Sequence, residues 1–149
     1  MSALPFAGVA DASLGLLAIR IVAGSAFVLH GWPKMRDPFA WMGKRTPRLF
    51  QAMAAVAEFG GGIAWIFGLL TPLASLGIAC TMAVAIGRHV LVKRDPFIGG
   101  YELASVYFCI ALLLLICGPG RFSVDWIWKN AKVRSRCSRS PRARTHRRR

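Results

Sequence analysis

The residues of this chain that could do chemistry are ionisable groups set in apolar surroundings: Arg20, Glu58, His30, His89 and Glu102, with Tyr101 beside the last. Arg20 interrupts the apolar run from Leu14 to Trp32, and Glu58 interrupts another from Leu49 to Leu70. A charged side chain near the middle of a membrane span costs about 2.5–3.5 kcal/mol on insertion scales, so it turns inward and takes a partner. A carboxylate in that setting can relay a proton, and an arginine can stabilise an anionic or polarised oxygen. Counted from the facing ends of the two runs, Arg20 lies about twelve residues deep and Glu58 about nine, a difference of only ~5 Å at ~1.5 Å per residue. That spacing predicts a buried Arg20–Glu58 ion pair, serving either a reactive site or helix register.

The other polar groups gather at one membrane face. Let side A be the face where the first helix begins and side B the opposite one. His30 and Lys34 close the first apolar run, Arg88 and His89 close the third, and Tyr101 and Glu102 open the fourth, all at side B. They predict a polar cleft that opens at side B and narrows toward Glu58 and Arg20; the alternative is a hydrated interfacial rim. Two histidines on helices running the same way also raise haem ligation. Neither is deeply placed, and a haem needs a wide apolar slot, so haem is disfavoured. The sequence has no glycine-rich nucleotide fingerprint, no Ser-His-Asp arrangement and no zinc-ligand spacing, so no metal is expected. Cys80, Cys109 and Cys117 fall inside apolar runs and Cys137 in the basic tail, without a CxxC pair, which reads as small packing residues.

The elements that position these residues are membrane-spanning helices. A chain of 149 residues builds one modest domain, and a 55% hydrophobic content with mean hydropathy +0.47 is too apolar for a typical soluble one. Crossing ~30 Å of hydrocarbon takes about 20 apolar residues in a helix, and four windows qualify: 14–32, 49–70, 72–92 and 98–117. Breakers or charges bound each window, and the Thr71-Pro72 corner is so short that it makes the second and third helices antiparallel neighbours. Runs such as Ile110 to Cys117 show no alternation, which excludes a transmembrane barrel. No basic residue precedes Arg20, so the first run reads as a retained helix rather than a cleaved signal. The predicted fold class is all-α, with four transmembrane helices packed as one bundle over residues 14–128. An N-terminal segment, 1–13, precedes it, and a basic tail, 129–149, expected to be disordered, follows. On the first helix Arg20, Gly24, Phe27 and Gly31 share one stripe; on the second, Gln51, Glu58, Gly62 and Trp65 share another. Both stripes carry glycine, where backbones can approach.

Gly118-Pro119-Gly120 stops the fourth helix at the interface. After it, Arg121 and Asp125 can pair four residues apart, and Trp126 and Trp128 suit the headgroup region, so Arg121, Asp125 and Trp126 read as an interfacial anchor. The formal charge of +14 looks like that of a nucleic-acid binder, but eight arginines follow Lys132. With the charge concentrated in the tail, the lipid bilayer is the expected partner and nucleic acid is not. Basic residues near the spans favour side B as the cytoplasmic face by a small margin, and counting the whole tail reverses the balance.

Taken in order, Arg20-x3-Gly24, His30-Gly31-x2-Lys34, Glu58-x2-Gly61-Gly62, Gly68-Leu69-Leu70-Thr71-Pro72, Gly99-Gly100-Tyr101-Glu102 and the closing Gly118-Pro119-Gly120-Arg121-Phe122-Ser123-Val124-Asp125 resemble the DoxX family over about residues 14–128. Phe122 stands where tyrosine is common in that family and Val124 where leucine is. The resemblance implies a four-helix protein of the prokaryotic cytoplasmic membrane. It is similar to small subunits associated with quinol oxidation, thiosulfate-to-quinone electron transfer and membrane oxidoreductase assemblies for oxidative or thiol stress. The leading expectation is therefore an accessory subunit of a membrane oxidoreductase, with redox enzymes as partners and a quinone, or a sulfur compound, as the ligand of the side-B cleft. A scaffold recruiting soluble redox enzymes through the basic loop 33–48 and a small-solute or proton permease are the alternatives.

Overall fold

A computed structural model describes residues 9–39, 41 and 46–138. The expected N-terminal segment therefore lies mostly outside the described residues, as do Lys44 and Arg45 of the first loop and positions 139–149 of the tail. The chain forms α1 (Val9–Arg36), α2 (Arg48–Phe67), α3 (Thr71–Gly87), α4 (Glu102–Cys117) and α5 (Val124–Ser138). A π-helical turn, Arg88–Lys93, and a kinked turn, Phe97–Tyr101, where Ile98 and Gly99 leave helical geometry, join α3 to α4. Among the described residues four segments are long and apolar enough to cross a bilayer: Ala12–Arg36, Arg48–Phe67, Thr71–Lys93 and Phe97–Cys117. The protein is an all-α membrane bundle. The fifth helix reaches ten residues into the segment expected as a tail, through Ser138.

Helix α1 packs along α2, α2 along α3 and α3 along α4, while α1 and α4 barely touch. The distribution of side chains is that of a protein in lipid. Val22, Leu29, Leu91 and Ile116 are exposed, whereas Arg20, Gln51, Thr71 and Ser75 are among the largest fully buried side chains. Between helices in hydrocarbon no hydrophobic gain drives association, so close backbone packing and internal polar bonds must hold the bundle. The two predicted stripes supply the packing. Gly24 and Gly62 face each other so closely that a Cβ on Gly62 would lie 2.7 Å from the Gly24 carbonyl oxygen. A Cβ on Gly31 would meet the Phe59 backbone at 2.8 Å. Between these contacts Phe27 sets its ring edge-on to Trp65, centroids 5.6 Å apart, and leans on Tyr107 of α4 at 4.8 Å.

Two local features shift boundaries from those expected. Pro33 does not end α1, which continues to Arg36. A proline in the last turn removes one backbone bond near a polar end, which a helix tolerates better than the same loss at its centre. The reversal after α2 falls at Gly68–Leu70 rather than at Thr71-Pro72. Gly68 adopts φ 65°, and the amides of Gly68 and Leu69 return to the carbonyls of Trp65 and Ala64 at 3.1 and 2.9 Å, the paired cap that a left-handed glycine permits. Leu70 is also left-handed, and Pro72 then sits in the first turn of α3, where its missing N–H leaves nothing unsatisfied.

Candidate functional site

Among the described residues the most deeply buried cation is Arg20, 1% exposed, and its guanidinium meets backbone oxygens from two segments. Nε donates to the Trp65 carbonyl at 2.7 Å and Nη2 to that of Ile66 at 3.1 Å. Nη1 donates to the carbonyls of Pro119 and Phe122 at 2.7 and 2.9 Å. The first two belong to the last turn of α2, whose carbonyls carry the negative end of the helix dipole. The planar fork of arginine suits such divided recognition; the ammonium of a lysine does not.

Arg20 therefore does not pair with Glu58. Glu58, 5% exposed, forms its salt bridge with Lys34 instead. The predicted pairing fails for two physical reasons. Because α1 runs on through Pro33, it slides relative to α2, and Arg20 stands level with Trp65, about 10 Å along the axis from Glu58 at ~1.5 Å per residue. The Cα–Cβ bonds of a helix also tilt toward its N-terminus, so Arg20 reaches toward side A, away from Glu58.

At side B the Lys34 ammonium lies over the Trp41 ring, 4.4 Å from its centroid, and so Glu58 is covered rather than exposed at the foot of an open cleft. Trp41 Nε1 donates to the Gln51 carbonyl at 3.1 Å, Gln51 Nε2 donates to the Thr46 carbonyl at 2.9 Å, and Arg88 reaches the Thr46 hydroxyl at 3.3 Å. The structure brings Lys34, Trp41, Gln51 and Glu58 together and leaves the other predicted site residues apart from them. His30 is exposed and holds the Ala26 carbonyl of its own helix through Nδ1 at 2.8 Å. His89 Nδ1 meets Asp95 Oδ2 at 2.7 Å across the turn after α3. The Tyr101 ring packs on Phe97 at 5.2 Å, and Glu102 is exposed in the first turn of α4, where a negative charge suits the helix dipole.

At side A the closing segment folds onto the ends of three helices. Asp125 does not join Arg121 in the predicted pair; its two carboxylate oxygens accept the Leu70 and Thr71 amides, each at 2.8 Å, capping α3 from a distance in sequence. The Asp125 amide in turn donates to the Gly68 carbonyl at 3.1 Å. The Arg121 amide donates to the Ser13 hydroxyl at 3.3 Å, and its guanidinium lies over Trp126 at 5.7 Å. Inside the segment the Ser123 hydroxyl donates to the Gly120 carbonyl and accepts the Trp126 amide. Sequence reasoning missed Ser13, Ser123 and the remote cap by Asp125. A small hydroxyl or carboxylate next to a helix break was the available signal.

Among the described residues no group of three His, Cys, Asp or Glu is placed to hold a metal ion. Cys80, Cys109 and Cys117 are free and exposed on the helix surfaces.

The family model described as DoxX matches residues 15–94, more than half of the chain. The chain is 28% identical over 129 residues to "Inner membrane protein YqjF" of Escherichia coli (strain K12), a match covering 75% of this chain and 90% of that protein. It is 27% identical over 125 residues to "Putative oxidoreductase CatD" of Bacillus subtilis (strain 168), covering 80% of this chain and 91% of that protein. No solved structure matches the chain.

Proposed function

Because the chain belongs to the DoxX family of multi-pass inner-membrane proteins, we propose that it is an accessory subunit of a membrane oxidoreductase system, with the redox chemistry on its partner. The observation that carries this reading is how the deep charges are engaged. Arg20 is held by four carbonyl bonds and Glu58 by Lys34, so these two buried charges brace the bundle. The relative named as an oxidoreductase supports the redox association. Side B presents the partner surface in this reading: Arg36, Lys93 and Arg94 are exposed there, with Asp37 as the acidic exception.

The test is to purify the wild type and Glu58→Gln in mild detergent from a native-like membrane, identify the co-purifying proteins, and record spectra of extracted small molecules. A membrane-embedded redox enzyme that co-purifies with both forms supports the accessory role, whereas soluble redox enzymes alone would point to the scaffold. A quinone or haem present in the wild type and lost in the variant would overturn it in favour of a cofactor-binding subunit centred on Glu58.

A further inference from the structure

The scant contact between α1 and α4 leaves a groove whose chemistry differs from the lipid-facing surface around it. The two helices are joined near mid-membrane by Phe27 and Tyr107 and diverge toward side A. There a groove of about 670 Å³ opens between Leu16 and Ile19 of α1 and Leu113 of α4, with Arg121, Trp126 and Lys129 at its mouth. A second groove of about 470 Å³, between Leu70 and Pro72 at the start of α3 and Leu115 and Ile116 of α4, lies on the other side of α4. The two share the helix end at Cys117–Pro119 and, at the rim, Asp125 and Lys129.

The walls are apolar and the mouth is cationic. Arg121 and Lys129 are both exposed, and Arg121 is steadied by its backbone bond to Ser13 and its stacking on Trp126. The carboxylate of Asp125 also lines both grooves, but its oxygens are taken by the Leu70 and Thr71 amides. Tryptophan and basic side chains at this depth mark the headgroup layer. From Ser13 to Ile19 the first groove runs about 9 Å along α1 at ~1.5 Å per residue, enough for the upper part of an acyl chain.

We propose that the paired grooves around the side-A end of α4 form a site for one anionic diacyl phospholipid, its phosphate at Arg121 and Lys129 and one chain on each side of the helix. A free anion would use the cations and leave the grooves empty. A zwitterionic lipid would fill the grooves without the charge preference. Lys129, common to both grooves, sits where the two chains of one lipid meet at its headgroup.

Gly15 gives a clean test, because it lines the first groove and a Cβ built on it meets nothing within 4 Å. Gly60 is equally open but lies on the exposed surface of α2, so it serves as the control. The detergent-purified protein is titrated with dioleoylphosphatidylglycerol and, separately, dioleoylphosphatidylcholine, and bound lipid is counted by native mass spectrometry. We expect one tightly retained phosphatidylglycerol. Near an anionic surface each basic residue is worth about fivefold in affinity, so Arg121→Gln with Lys129→Gln should weaken retention roughly twenty-five-fold. Gly15→Leu should also weaken it with an unchanged melting temperature, and Gly60→Leu should not. Equal retention of the two lipids, or retention indifferent to Gly15→Leu and to the charge variants, would overturn the proposal.

Discussion

Arg20 shows how a charge is made tolerable inside a membrane span. Its fork distributes four donors among carbonyls of α2 and of the closing segment, so the cation lies among the groups that most need a donor in a dry environment. Arg20→Lys keeps the charge and loses the fork. With at least two charge-assisted bonds lost, the expected cost is about 3 kcal/mol. It should be read as a lower melting temperature and an earlier unfolding midpoint in detergent; a variant as stable as the wild type would show that the clamp contributes nothing. That Arg20 and Glu58 are buried was legible in the sequence, since an ionisable residue in an apolar run has few other places to go. Their partners were not. Partner choice depends on the slide between α1 and α2 and on the direction a helical side chain leans, and a spurious end at Pro33 hid both.

The helices themselves were legible because hydrocarbon thickness imposes a length and apolar runs of that length are rare by chance. Their contacts were partly legible, through glycines at helical spacing. Where Gly24 meets Gly62 the backbones are so close that the Cβ of Gly62→Ala would stand 2.7 Å from a carbonyl oxygen and 2.9 Å from the Phe27 side chain. Gly62→Ala should therefore cost about 1–3 kcal/mol by overpacking, although alanine is the better helix former. Gly60→Ala, two residues away in open space, should lose nothing. Thermal unfolding of the two variants side by side checks the contrast; equal midpoints would mean that the close approach of α1 and α2 is not what holds them. The widened turn at Arg88–Lys93 had no such signal, because hydropathy does not mark it, whereas Pro96 and Gly99 were the available marks of the kink at Phe97–Tyr101.

At the scale of the whole molecule, four spans return the chain to the face where it began. Single cysteines placed at Ala12 and at Lys129, with the native cysteines replaced, should both react with a membrane-impermeant maleimide in vesicles of one orientation and both be protected in the other. Opposite reactivity of the two positions would rule out the four-span topology. The shared face is also where the most distant parts of the sequence are tied: Arg20 bonds to Pro119 and Phe122, and Asp125 caps α3. During synthesis the first span thus enters the bilayer with its cation unmatched. The hairpin with α2 supplies two of the four acceptors, and the others arrive only after α4 has been made, so the ribosome's last contribution to the bundle is the latch that fastens its first helix.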